Sequence, residues 1–328
     1  MRPIKRLLAL LLLCVALLSG WVGYYATSPL NLPSLPFEFS INQGASLKAA
    51  ARQMQQAGLL SNDWMFAWLG RVLGKTTQIK AGNYELETAP SPFELLDIMT
   101  KGRVSQSELS IIEGWSFNQL RSTLNVNSSI KHDTGTLSEA EIMQRLGASE
   151  GKAEGLFFPD TYYFASGTSD LSLLKRAYLN MQKHLQESWK SRAQNLPFES
   201  PYQALILASI VEKETGQSKD RDRIAGVFIN RLRKGMLLQT DPTVIYGMGA
   251  KYDGNLHKRD LMTDTPYNTY TRAGLTPTPI ALPGLAALQA ALHPAQTDAL
   301  YFVARGDGSS EFSRTLEQHN RAINKYIK

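Results

Sequence analysis

Two glutamates stand two residues apart at the end of an apolar run, Ser200 to Gly216 (SPYQALILASIVEKETG). Carboxyl groups can move protons when their surroundings set their pKa values apart, so the element carrying them decides what they can do. Ser200 is a good N-cap, Pro201 suits the first helical position, Gln203 completes a capping box and Gly216 is a stop signal. The pattern predicts a helix over about 201–215. With Leu207 at zero, the wheel puts Val211, Ala204 and Ile210 on an apolar stripe; Glu214 falls about 20° from its centre and Glu212 about 140° away. Glu212 is expected in solvent beside Leu205 and Ser209. Glu214 is expected on the stripe, where desolvation raises a carboxyl pKa and keeps the proton available to a general acid near neutral pH. The competing expectation is that Glu214 reaches water at the helix end or pairs with Arg221 or Arg223.

The elements around that helix could build a cleft. Asp220 to Lys234 reads as a helix with Ile224, Val227, Phe228 and Leu232 on one stripe, stopped by Gly235. Leu238 to Gly247 (LQTDPTVIYG) leads polar groups into a second, shorter helix. Tyr267 to Thr271 (YNTYT) precedes a proline-rich loop, Gly274 to Gly284. Amides, hydroxyls and tyrosines in loops suit a carbohydrate, which needs neutral hydrogen bonds and apolar faces to pack on. Upstream, Leu171 to about Ala193 reads as a long helix. Phe37 to Ile41 alternates as a strand, Leu47 to Ala57 reads as a helix closed by Gly58, another helix follows Asn62, and Ala81 to Leu86 reads as a return strand. That strand–helix–helix–strand order is loosely that of a LysM-type module, which binds N-acetylglucosamine polymers; a spacer domain would read the same way. A helix near Ser91–Thr100, a strand near Glu108–Ile112 and a helix after Glu113–Ser116 follow, and Asn125 to Gly135 reads as an exposed polar loop.

The chain begins with a basic hexapeptide and then runs without a charge from Leu7 to Ala26, about the length that spans a bilayer core. Trp21, Tyr24 and Tyr25 mark its outer end, and the basic flank orients the remainder away from the cytoplasm. A cleaved signal peptide is the competing expectation, but the run is long for one and no small-residue cleavage site follows. The sequence has one cysteine among 328 residues, which excludes an internal disulfide framework. Its formal charge of +6 is modest and does not point to nucleic acid. Five histidines, at 132, 184, 257, 293 and 319, make no close ligand pair, so a zinc hydrolase is not indicated. No cofactor or metal is expected. The fold class is α+β: a cytoplasmic basic segment 1–6, a transmembrane helix 7–26, a linker 27–36, a LysM-like α/β module 37–104, a connecting region 105–155 and a mixed helical/β catalytic domain 156–328.

The runs Ala208–Thr215, Val227–Leu232, Leu238–Gly247 and Tyr267–Thr271 resemble the endolytic murein transglycosylase, or YceG-like, family. The resemblance continues through Ala291–Ala295, Leu300–Val303, Phe312–Leu316 and Glu317–Asn320. Two departures stand out: Ser310 where the family usually has a histidine, and Leu275-Thr-Pro where it usually has Leu-Pro-Pro. The resemblance implies that Glu214, the second glutamate of Glu-Lys-Glu, carries catalysis. It also implies a membrane-anchored enzyme of the inner membrane whose domains face the periplasm, and which cuts peptidoglycan glycan strands between N-acetylmuramic acid and N-acetylglucosamine. The expected products end in 1,6-anhydro-muramic acid, the expected role is to terminate nascent strands, and peptidoglycan synthases are the implied partners. Gln239, Asp241, Asn268 and Tyr270 are candidate sugar-binding groups. A non-catalytic peptidoglycan-binding scaffold and a hydrolytic muramidase remain as alternatives.

Overall fold

The structure, a computed structural model, describes residues 2–33, 35, 37–42, 44–86, 88–101, 107–164 and 166–327. The expected boundary between 104 and 105 lies outside these residues, as do residues 34 and 36 of the expected linker. The chain divides into two compact units: Met1–Leu109 with Ser128–Lys131 and Tyr163–Thr168, and Ser110–Asn127 with His132–Tyr162 and Ser169–Lys328.

The first unit opens with α1, Arg2–Thr27. Its Leu10–Thr27 stretch is long and apolar enough to cross a bilayer, and none of it is buried, which is compatible with a single-pass anchor. Then come β1 (Phe37–Ile41), α2 (Leu47–Gln56), α3 (Asp63–Val72), β2 (Gly82–Leu86) and α4 (Pro92–Lys101). Alternation in β1 sends Phe37, Phe39 and Ile41 into one core. β1 and β2 pair antiparallel with Phe39 opposite Tyr84, and the two rings stack with centroids 5.1 Å apart. Ser46 caps α2 by accepting the Ala49 N–H, and Leu47, Ala50, Ala51 and Met54 form its buried stripe. Gly70 of α3 lets the two helices meet, since a Cβ there would lie 2.6 Å from Leu47 Cδ2.

Four short strands occupy the places where the chain passes from one unit to the other: β3 (Ser107–Ser110), β4 (Ile130–Lys131), β5 (Thr161–Phe164) and β6 (Thr168–Ser169). β3 pairs with β5 and β4 with β6. The stretch expected to be an exposed loop, Asn125 to Gly135, is therefore partly ordered and buried. Ile130 is in β4, and Thr134 is buried because Asp170 needs partners. That aspartate has no exposed surface, and it accepts the Asp133 and Thr134 N–H groups at 3.0 and 3.1 Å and the Thr134 hydroxyl at 2.7 Å.

The second unit holds α5 (Phe117–Val126), α6 (Glu139–Leu146), α7 (Asp170–Lys190), α8 (Pro201–Glu214), α9 (Ser218–Arg233), α10 (Asp241–Met248), α11 (Lys258–Met262), α12 (Leu285–Leu292), β7 (Tyr301–Ala304), β8 (Ser310–Ser313) and α13 (Leu316–Tyr326). α8 is its axis, packed by α7, α9, α10 and α12. Small side chains allow this: Ala287, Ala290 and Ala291 of α12 are buried, and a Cβ on Gly226 of α9 would lie 2.8 Å from the Ala295 carbonyl oxygen.

Three features of α8 differ from expectation. All of Ala204 to Val211 is buried, so that stretch of the helix has no solvent face, and Leu205 and Ser209 are as enclosed as the supposed stripe. Ser200 accepts the Gln203 N–H as expected, but the Gln203 side chain accepts from the Glu199 N–H at 2.7 Å and closes the cap one residue further back. The helix ends at Glu214, one residue before the expected 215, and its cap is an extended Thr215.

Candidate active site

Glu214 is the last residue of α8, so its side chain leaves the packed axis where the helix stops. It lines a cleft of about 530 Å³ with residues from five other segments, among them Arg231, Gln239, Asp241, Tyr270, Tyr301 and His319. The residue itself is half-buried, while protein atoms crowd its carboxyl. Burial pushes the Glu214 carboxyl up to about 7; the Thr240 hydroxyl, donating to Oε2 at 2.9 Å, opposes the rise, and the Asp241 charge adds to it. Neither expected arginine pairs with it. Arg223 stacks on Phe312 at 3.9 Å, and the Arg221 charge acts on Glu212.

A threonine triangle holds the floor. Thr240 N–H donates to Thr269 Oγ1 at 3.1 Å, Thr269 and Thr243 share a hydroxyl bond of 2.8 Å, and Thr243 donates to the Thr240 carbonyl at 2.8 Å. All three are buried, so the hydroxyl that meets Glu214 has a fixed origin. Next to it, Gln239 is held at φ 51°, a left-handed backbone uncommon for a side-chain-bearing residue. Its N–H donates to the Thr269 carbonyl at 3.0 Å, and its Oε1 accepts from Arg231 at 3.2 Å. Arg231 also donates to the carbonyls of Leu300, Leu237 and Leu238, tying the strand-forming tail to the floor. The wall opposite carries Tyr301 with the His319 ring stacked on it, centroids 5.1 Å apart.

The candidate residues separate cleanly. Gln239, Asp241 and Tyr270 line the cleft with Glu214, and the Tyr270 hydroxyl donates to Asp241. Burial, then the Asp241 bond, raises the Tyr270 pKa, so the phenol stays a donor. Asn268 does not reach the cleft. It has no exposed surface, and its amide donates to the Asp260, Leu261 and Thr263 carbonyls at 3.3, 3.0 and 2.7 Å while accepting the Tyr270 N–H at 2.8 Å. It is a loop clamp that sets the backbone of Tyr270, and the sugar-contact expectation is corrected accordingly.

Glu212 is also corrected. It is not in solvent: it is half-buried and accepts the Gly284 N–H at 2.9 Å, next to Glu113. Burial raises its pKa too, with the Gly284 bond opposing. A third carboxyl, Glu154, is pushed up to about 7 by burial, but the Phe117 N–H at 3.0 Å and the Tyr246 hydroxyl at 3.1 Å occupy it. Among the described residues no group of three His, Cys, Asp or Glu is placed to hold a metal ion.

The YceG-like family matches residues 39–325. The chain belongs to that family. An endolytic murein transglycosylase of Bacillus subtilis is 32% identical over 305 residues, covering 88% of this chain and 84% of its own length. One of Streptococcus pneumoniae is 27% identical over 99% of this chain, which spans 66% of that longer relative. A crystal structure of a YceG-like protein from Listeria monocytogenes is 28% identical with a TM-score of 0.56, over 87% of this chain and 97% of that one.

The two departures from the family pattern sit in ordinary surroundings. Ser310 opens β8 and its N–H donates to Asp220 at 2.6 Å. Thr276 is buried and donates to the Thr278 carbonyl at 2.8 Å, so a hydroxyl bond pins the turn that a proline would otherwise stiffen. Sequence reasoning missed Thr240, Arg231 and His319. Thr240 stood next to two chosen residues, and its position one before the N-terminus of α10 was the available signal.

Proposed function

We propose that this chain is an endolytic murein transglycosylase anchored by α1, with the cleft on the periplasmic side, acting on peptidoglycan glycan strands through Glu214. The observation that carries the reading is a carboxyl with a pKa near 7, held by one hydroxyl at the head of a cleft with polar walls. In its protonated form Glu214 gives its proton to the glycosidic oxygen between N-acetylmuramic acid and N-acetylglucosamine as the C1–O bond breaks. The resulting carboxylate takes the proton of the muramic C6 hydroxyl as that oxygen bonds to C1. One residue thus closes the proton cycle, and the muramic end becomes a 1,6-anhydro ring. Gln239, Asp241 and Tyr270 supply neutral and charge-assisted hydrogen bonds along the strand. The order β1–α2–α3–β2 supports carrying the LysM-like assignment of the 37–104 module within the same proposal. Termination of nascent strands, with synthases as partners, belongs to this reading as well.

The intramolecular hydroxyl has an advantage over water when aligned, with effective molarities reaching about 10⁵ M or more. Digestion of sacculi in ¹⁸O-water, read by mass spectrometry, should give 1,6-anhydro ends without label. Asp241 in the same cleft favours one second reading, hydrolysis with Asp241 activating water. Label at the new muramic end would establish that reading, and binding without fragments would leave a scaffold.

A further inference from the structure

The 37–104 module carries an aromatic face that its own core leaves uncovered. α3 buries Phe66, Leu69 and Gly70 on one side. Trp64, Trp68 and Val72, at i, i+4 and i+8, are 62, 48 and 61% exposed and make a single stripe on the other. Phe93, at the start of α4, is 46% exposed, with Lys75 Nζ 5.6 Å above its ring. Contiguous exposed apolar surface of this kind marks a contact.

The path of α1 indicates what makes that contact. The helix ends at Thr27, and three residues later the Leu30 N–H donates to the Pro90 carbonyl at 2.9 Å. Leu30 and Leu32 then pack against the module's core, and α1 itself packs against α4. Pro90 is three residues from Phe93, and Lys75 is three from Val72. The stripe is thus joined to the end of α1 by short stretches within one unit. Near that end Trp21 and Tyr24 are exposed, the residue types that settle at a bilayer's headgroup level. Arg71 and Lys75 flank the stripe, Lys75 also bridging Asp97 at 3.2 Å. Tryptophans beside cations on a helix face suit an anionic lipid interface.

We propose that the Trp64–Trp68–Val72 face lies in the headgroup region of the bilayer that α1 enters, docking the module on the membrane surface. The proposal rests on α1 being an anchor, and flotation of the chain with vesicles tests that separately. The chain has one cysteine, so full-length protein with Cys14→Ser and Val72→Cys takes a single nitroxide label. In vesicles of phosphatidylethanolamine and phosphatidylglycerol, power-saturation EPR should find this label several-fold more accessible to oxygen, relative to a water-soluble nickel chelate, than a label at the exposed Gln56 of α2. Adding Trp64→Ser and Trp68→Ser should return the Val72 label to the Gln56 value. If the chain floats but the two labels are equally open to nickel, the docking proposal fails while the anchor stands. If the Val72 label stays in water and is immobilised only by added glycan strands, the face belongs to glycan and the membrane proposal is likewise overturned.

Discussion

The two glutamates that end α8 share a helix turn, a degree of burial and the direction of their pKa shift, yet they sit in different kinds of place. Glu212 faces a backbone N–H and closes the helix against Gly284; Glu214 faces a hydroxyl and a cleft. Both carboxyls are raised by desolvation first. A perturbed carboxyl is therefore not by itself a catalyst. What separates the two in the structure is that Glu214 lines the cleft and Glu212 does not; the proposed function rests on that difference. Glu212 spends its acceptor on the fold, and Glu154 does the same with Phe117 and Tyr246.

The largest test of that contrast is on activity. Glu214→Gln should reduce glycan cleavage by about 10²–10⁴-fold or more, because an amide cannot donate and then recover the same proton. Glu212→Gln keeps an oxygen for Gly284 and should stay within about tenfold of the parent. Fragment release from sacculi measures both, and similar losses would dissolve the distinction. Next in size is stability. Glu212→Ala leaves the Gly284 N–H without its acceptor and should cost about 1–3 kcal/mol in denaturant unfolding, with cleavage rates of the folded fraction largely retained.

Much of the scaffold was legible because its signals are local. Ser46, Ser116 and Ser200 each accept the N–H three residues on, and the helices they start are where they were expected; α6, capped in the same way by Ser138, was not read from the sequence. The β1–α2–α3–β2 order follows from alternation giving way to helical spacing. The wheel failed on α8 for a physical reason: it assumes one apolar face, and a helix enclosed on every side gives polar residues no solvent to point at. Ser209 shows this, with its hydroxyl buried between the Ile206 carbonyl and the Ile280 N–H. Asn268 was misread because an amide that clamps a loop and one that meets a sugar look alike in sequence. The far wall, Tyr301 and His319, lies about a hundred residues beyond Glu214 and no spacing rule reaches it.

A third test joins the chemistry of Glu214 to folding. A carboxyl whose folded pKa lies above its unfolded value binds more protons in the native state, so its contribution to stability falls as pH rises from about 4.5 to about 7. Glu214→Gln removes that penalty. The variant should match the parent's stability trend at acid pH and become the more stable of the two as pH rises through this window, measured by urea unfolding at each pH. Glu212→Gln should act in the same direction, since its shift has the same sign. This is a test in which the two glutamates should agree, while activity is where they part.

The smallest effect expected is a shift in the pH profile, and it is the most specific to the cleft. On the proposed mechanism glycan cleavage uses the protonated form of Glu214, so kcat/KM should fall as pH rises through about 7. Two neighbours set where that limb lies, and they act in opposite directions. Thr240 donates to the carboxylate and favours the charged form, while Asp241 repels it. Thr240→Val keeps the shape of a buried residue and deletes the hydroxyl, so the limb should move to higher pH. Asp241→Asn keeps an acceptor for Tyr270 and deletes the charge, so the limb should move to lower pH. Glu212→Gln sits outside this circuit and should leave the limb in place. A limb that follows Glu212→Gln, or moves the same way with both neighbours, would assign the titrating proton to a group other than Glu214. Opposite movements would assign that proton to the carboxyl that Thr240 donates to and Asp241 repels, which is Glu214.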